Sequence, residues 1–255
     1  MFADPLALAI LGPDAESGIR AGESRHRGRA STALRAFVVA RARAVEDELE
    51  RAVARGVRQF VILGAGLDTF AYRNPQTPVR VFEVDHPATQ AWKREALGAA
   101  GIPIPSCLTF APVDFERQTL ADGLGAAGFD RGAPAMFSWL GVTMYLTAEA
   151  FDATLDFVAS MGAGTTVIFD YAVDRASLPL MERVALKALE ARVARAGEPF
   201  RTFFQPARLA SRLADAGFVS VEDLGAAELN ARYFTGRHDA LRVMGGAGRL
   251  MIAGR

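Results

Sequence analysis

Apolar residues along the chain follow two rhythms. Short, mainly apolar runs at residues 59–63, 79–84, 108–113, 134–139 and 165–169 end near glycines, prolines or acids, and longer stretches between them repeat apolar positions three and four apart. Continuous runs of that length read as strands buried on both faces, and the spaced stretches read as helices. Their order predicts five alternating β/α units, hence a mostly parallel sheet covered by helices on both sides. Helices are expected from about Asp68 or Thr69, at 88–100, near 117–127, at 148–161 and at 206–216, stopped by glycine or by breaks such as the Gly/Pro-rich segment 101–105. Two further strands, 219–223 and 249–253, close the chain as a paired hairpin, and the connection 229–245 reads as a loop bordering the site.

Upstream of the first strand, residues up to about 30 are rich in Gly, Arg and small polar residues and predict a loose or ligand-ordered arm. A helix then starts at a Ser31 or Thr32 cap and runs to Gly56, with Leu34, Phe37, Val38, Val45, Leu49 and Val53 as its apolar stripe. Arg41 falls inside that stripe, seven after Leu34 and four before Val45, while Arg43 falls opposite. A guanidinium there needs a core acid, a snorkelling route to water, or an anionic ligand. Near the other end, residues 177–196 form an amphipathic helix with Leu178, Met181, Val184, Leu189 and Val193 in series, which packs on the core or caps the crevice.

Composition narrows the partners. Lys+Arg and Asp+Glu both number 29, so there is no basic surplus to hold nucleic acid or an anionic membrane. Arg20, Arg25, Arg27 and Arg29 are the one local cluster and read first as a solvated arm. Cys107 is the sole cysteine, which precludes an intrachain disulfide or a thiolate cluster and fits a reducing compartment, with the cytoplasm as the expected location. Asp4 stands where a signal peptide needs basic residues, and the apolar run 6–11 is too short for a membrane span. At 255 residues the chain suits one domain: arm and first helix 1–57, a nucleotide-binding core 58–173, a cap 174–204, and closing elements 205–255.

The chemistry concentrates at strand ends. Gly64-Ala65-Gly66 follows the first apolar run, where glycines let a backbone approach a ligand closely. The dinucleotide fingerprint wants a third glycine at position 69, and the chain has Thr69. An NAD-linked oxidoreductase is therefore an alternative rather than the leading reading. Asp68 caps the next helix or lines the site. Glu83 and Asp85 close the second strand, where an acid accepts from ribose hydroxyls, and Asp85 alternatively caps the helix after His86-Pro87. Asp114-Phe115 at the third strand end suits an adenine, acid to the exocyclic amine and ring to the base. His86, Tyr145 and His238 are candidate bases for a hydroxyl acceptor, and each also has a structural reading. His26, His86 and His238 are scattered, so no metal site is expected.

Taken together, Val-Ile-Leu-Gly-Ala-Gly-Leu-Asp-Thr-Phe-Ala-Tyr-Arg (61–73), Phe-Glu-Val-Asp-His-Pro (82–87), Val-Asp-Phe (113–115) and Gly-Val-Thr-Met-Tyr-Leu (141–146) closely resemble the leucine carboxyl methyltransferase family. The resemblance implies a Rossmann-like class I methyltransferase fold: an α/β architecture with a mostly parallel seven-stranded sheet, an antiparallel last strand, an N-terminal helical segment and a helical cap. It implies S-adenosylmethionine as cofactor and a small-molecule acceptor, with O-methylation the expected chemistry; a non-catalytic cofactor-binding module is a further alternative. By position, Arg41 would bind the methionine carboxylate, Gly64, Ala65 and Gly66 line the methionine and ribose, Asp85 and Glu83 hold the ribose, and Asp114 and Phe115 hold the adenine. Where many members have Glu before the glycine of the fourth motif this chain has Leu140, and a backbone carbonyl of Trp139 or Leu140 would serve the cofactor's amino end. Oligomeric state has no signature in the sequence.

Overall fold

A computed structural model describes residues 3–21, 29–74, 78–115, 117–195, 197, 199–239 and 241–255. Seven strands make one sheet: β1 (Gln59–Leu63), β2 (Arg80–Asp85), β3 (Leu108–Pro112), β4 (Met136–Trp139), β5 (Thr166–Ala172), β6 (Ser220–Leu224) and β7 (Gly248–Gly254). Their order is β3-β2-β1-β4-β5-β7-β6. From β3 to β5 every pair is parallel, with Gln59 beside Arg80 and Phe60 beside Met136, and β7 runs antiparallel between β5 and β6. The chain leaves β1 in one direction to β2 and later returns on its other side at β4, so a crevice opens at the carboxyl ends of these two strands.

The strand runs are mainly apolar because both faces of the sheet are covered. Phe60 and Ile62 join Val81, Met136 and Ile168 on one face, while Val61 and Leu63 join Phe82, Phe137 and Phe169 on the other. The first face packs against α2 (Arg29–Ala54), α4 (Pro87–Ala99) and α9 (Ala226–Tyr233), through residues such as Leu49, Leu97 and Leu229. The second packs against α5 (Leu120–Ala126), α6 (Ala148–Ala159) and α8 (Pro206–Asp215), through Leu124, Leu155 and Leu213. The remaining helices are α1 (Pro13–Arg20), α3 (Phe70–Arg73) and α7 (Leu180–Arg195). Among the described residues no helix is long and apolar enough to cross a membrane.

Four expectations are corrected. The arm is not uniformly loose: a 3-10 turn at Ala9–Leu11 buries Ile10, and α1 follows with Pro13 at its start and Asp14 and Glu16 in its first turn, which suits a helix N-terminus. Arg25, His26 and Arg27 lie outside the described residues. On α2 the buried stripe is built mainly from alanines, Ala36, Ala40, Ala44 and Ala52 with Val45 and Leu49, whereas Leu34 and Val38 are exposed. Small side chains bring the helix close to the sheet, a feature that scoring large apolar residues passes over. The helix after the glycine turn is only the four residues of α3. Last, β6 and β7 are antiparallel neighbours but not a plain hairpin, because α9 lies between them, its first turn held by the Glu228 carboxylate accepting from Gly225 N–H at 2.8 Å.

Candidate active site

The turn after β1 sits at the centre of the crevice. Gly64 (φ +66°) and Gly66 (φ +44°) both take left-handed backbone conformations that glycine adopts without cost. Their surroundings differ. A side chain on Gly64 would overlap Val142, whereas one on Gly66 would meet only the Gly64 carbonyl at 4.0 Å and otherwise enter open space. The turn is tied to the end of β2: Gly64 N–H and Ala65 N–H both donate to the Val84 carbonyl at 2.8 and 3.1 Å, and Gly66 N–H donates to Asp85 Oδ2 at 2.6 Å. Asp85 Oδ1 accepts from His86 N–H at 2.7 Å. Each oxygen of Asp85 therefore holds one backbone amide and retains acceptor capacity toward the crevice.

Glu83 is placed elsewhere. It shares a strand face with Asp85 but lies two residues back, where α3 and α4 cover it, and its side chain is fully buried. Its Oε2 accepts from Lys93 Nζ at 2.7 Å and Tyr72 O–H lies 3.4 Å away, so it is the counter-ion of a buried lysine and not a ribose contact. Burial pushes the Glu83 carboxyl up to about 7, with the Lys93 charge working against the shift. Burial likewise raises the Asp68 carboxyl, opposed by the Phe70 N–H that its Oδ1 accepts at 2.8 Å. Asp68 thus braces the end of the turn, one residue before Thr69, which stands at the cap of α3 and makes no side-chain cap bond.

Across the crevice, Arg41 reaches the end of β5 and forms an ion pair with Asp170, whose side chain is 2% exposed. Asp170 also accepts from Gly141 N–H through Oδ1 at 2.6 Å, and its carbonyl accepts from the Thr143 hydroxyl. One acid thereby fixes the guanidinium and the start of the 141–146 motif together. The core-acid reading of Arg41 is realised, and 20% of the side chain is still exposed. The motif is strapped by residues 200–204: Arg201 N–H donates to the Met144 carbonyl at 2.7 Å and the Thr202 hydroxyl to the Leu146 carbonyl at 2.6 Å. Tyr145 stands edge-on to Phe200, centroids 5.4 Å apart.

At the end of β3, Phe115 is 54% exposed beside Asp114, which pairs with Arg117 at 3.5 Å. Trp139 points away, buried and stacked on Phe151 at 5.1 Å, so any contribution from it to the crevice is through the backbone, and Leu140 is partly buried against the core face that carries α2. The three candidate bases do not converge: His86 is exposed and its Nδ1 accepts from Ala88 N–H at the start of α4, His238 is exposed on the segment after α9, and Tyr145 belongs to the motif. On α7 the predicted stripe divides. Leu178 just before it is buried and Leu189 and Val193 are half-buried, while Met181 and Val184 are exposed; outside the predicted stripe, Leu186 is buried and Leu180 exposed. Glu182 Oε2 accepts from Gly246 N–H at 2.6 Å, tying α7 to the segment that enters β7 at the carboxyl end of β5.

Asp170 and Lys93 were not singled out by sequence. Each carried a signal: an acid ending an apolar run, and a lysine four residues before the buried Leu97 on the face α4 turns to the sheet.

Residues 1–159 match the family model of leucine carboxyl methyltransferase. The Bacillus subtilis protein YktD, provisionally named an S-adenosyl-L-methionine-dependent methyltransferase, is 34% identical over 206 residues, covering 80% of this chain and 67% of YktD. A similarly named Frankia alni protein is 37% identical over 169 residues, 64% of this chain and 58% of its own length. The chain thus spans between 43% and 67% of the length of such relatives, 48% of one from Parafrankia. A crystal structure of a Thermobifida fusca protein, provisionally a methyltransferase, aligns with a TM-score of 0.61 at 20% identity over 97% of this chain and 92% of that one, which speaks to the fold.

Proposed function

The chain belongs to the leucine carboxyl methyltransferase family of S-adenosylmethionine-dependent methyltransferases, and from that premise we propose that it methylates an oxygen of a small-molecule acceptor, a carboxylate foremost. The oxidoreductase alternative drops away with the family. The observation that carries the site assignment is the open cradle over Gly66 at the strand-order reversal, flanked by Asp85 and Arg41. In this reading the free face of the Arg41 guanidinium takes the methionine carboxylate, Asp85 takes the ribose hydroxyls with its remaining acceptor capacity, and the exposed Phe115 ring covers the adenine. These groups suit the cofactor: a cation, a fixed acid and an uncovered aromatic face along one crevice.

The bound sulfonium supplies an electrophilic methyl carbon: an acceptor oxygen forms the new C–O bond as the C–S bond breaks, and the electron pair stays on sulfur. A carboxylate acceptor arrives already ionised, since such groups lose their proton near pH 4, so the chain has to align rather than deprotonate it. Alignment means holding the reacting atoms at about 3–3.5 Å. The 141–146 motif with Tyr145 and Phe200 forms one wall for that task, and the α7–β7 entry segment another. The location is proposed to be cytoplasmic, without nucleic-acid or membrane partners.

The test is methyl transfer from radiolabelled S-adenosylmethionine to a panel of carboxylic acids, phenols, alcohols and amines. Base-labile label on an acid supports the reading; label confined to nitrogen or sulfur acceptors refutes it.

A further inference from the structure

A buried cation beneath the turn has no part in the reading above. Lys93, near the middle of α4, has a side chain 1% exposed and aims Nζ at two acceptors, Glu83 Oε2 and the main-chain carbonyl of Asp68, both at 2.7 Å. The Tyr72 ring lies 5.2 Å from the ammonium. Withdrawing a lysine from water costs several kcal/mol, and replacing a buried ion pair by apolar side chains is often neutral or stabilising, so packing alone is a weak reason for this pair. Glu83 Oε1 sharpens the point: it is buried with no hydrogen-bond partner among the described residues. What an apolar pair cannot reproduce is the bond to the Asp68 carbonyl.

That carbonyl is the exit of the glycine turn. Three consecutive residues of β2 hold the turn along its length: Val84 takes the Gly64 and Ala65 amides at the entrance, Asp85 takes the Gly66 amide at the apex, and Glu83 fixes the exit by way of Lys93. We propose that Lys93 is a positioning residue for cofactor binding, clamping the Asp68 carbonyl so that the Gly66 cradle keeps its shape. Lys93 itself, being buried, does not touch the ligand. The inference rests on the reading that this turn carries S-adenosylmethionine or its demethylated product.

The experiment is titration calorimetry of the full chain with S-adenosylhomocysteine, paired with thermal melts. Lys93→Met is expected to weaken binding about tenfold, the loss of about one charge-assisted bond. Glu83→Gln leaves the ammonium on the Asp68 carbonyl and loses less. The deciding variant is Lys93→Met/Glu83→Gln, which strands no charge: its melting temperature returns toward that of the wild type while its affinity stays low. A purely structural lysine gives the opposite result, affinity recovering with stability, and that overturns the proposal, as does Glu83→Gln losing as much affinity as Lys93→Met. Should Lys93→Met fail to fold, the double variant carries the comparison. A wild-type chain that gives no saturable heat sinks the cofactor assignment of the turn itself, an outcome distinct from a wild type that binds and a double variant that binds equally well.

Discussion

Gly64 and Gly66 stand two residues apart in one turn, and alanine at each has a different expected cost. At Gly64 two terms add. Holding an alanine at φ +66° costs about 1–2 kcal/mol, and its methyl overlaps Val142, whose Cβ and Cγ1 would stand at 3.5 and 3.6 Å with Cγ2 closer still, an overpacking of about 1–3 kcal/mol. Together Gly64→Ala should lose roughly 2–5 kcal/mol in urea denaturation, a large share of the ~5–15 kcal/mol that holds a domain folded. Gly66→Ala, at φ +44° in open space, meets only the backbone term of about 1–2 kcal/mol. Its methyl instead enters the cradle, so S-adenosylhomocysteine affinity should fall further than stability does. The overlap term can be isolated: Val142→Ala removes the clashing methyl, and the Gly64→Ala/Val142→Ala pair should be less damaged than the sum of its parts by about 1–3 kcal/mol. Strict additivity would refute the steric argument, and a Gly66→Ala protein that binds like wild type would show that the ligand does not lie over the turn.

Three more outcomes follow from the site's geometry. Asp170→Asn, measured by urea denaturation, should lose about 2 kcal/mol, since it breaks a partly buried charge pair with Arg41 while an amide oxygen still receives Gly141 N–H. Phe115→Ser should leave the melting temperature nearly unchanged, the ring being exposed, yet weaken S-adenosylhomocysteine binding about tenfold, in line with the ~1–3 kcal/mol of aromatic stacking on a base. Glu83 has its folded-state value raised from 4.5 to about 7, so in that window the folded chain holds more proton than the unfolded one and the stability this group contributes declines as pH rises. The stability difference between wild type and Glu83→Gln should accordingly shrink from pH 5 to pH 7.5; a difference that grows would contradict it.

The parallel core was legible because strands buried on both faces leave mainly apolar runs, nearly continuous in β1, β4 and β5 and interrupted in β2 by Glu83. Arg41 was legible as a residue in need of a partner, from its place on the helix wheel. Its partner was not, because Asp170 is 129 residues away and only the sheet brings the end of β5 beside α2. Glu83 illustrates a different limit: alternation places it on the same face as Asp85, but which acid reaches the crevice depends on how far α3 and α4 extend over β2. The helix α9 escaped notice because Gly225 is a weak starting signal and Leu229 is its one fully enclosed residue.

The reversed strand β7 has a consequence for how such a protein diversifies. Because it runs against its neighbours, the segment before it arrives at the crevice, with Gly248 beside Ala172, while the strand itself is locked between β5 and β6. The exposed positions of residues 241–247 and of the α7 helix fastened to them at Gly246 lie outside the parallel strands and the glycine turn, whereas Val243 and Leu186 are core residues. On the proposed reading, the part of acceptor choice that falls to the α7–β7 segment sits on a stretch of chain apart from the glycine turn, so drift there need not be matched by compensation in the turn.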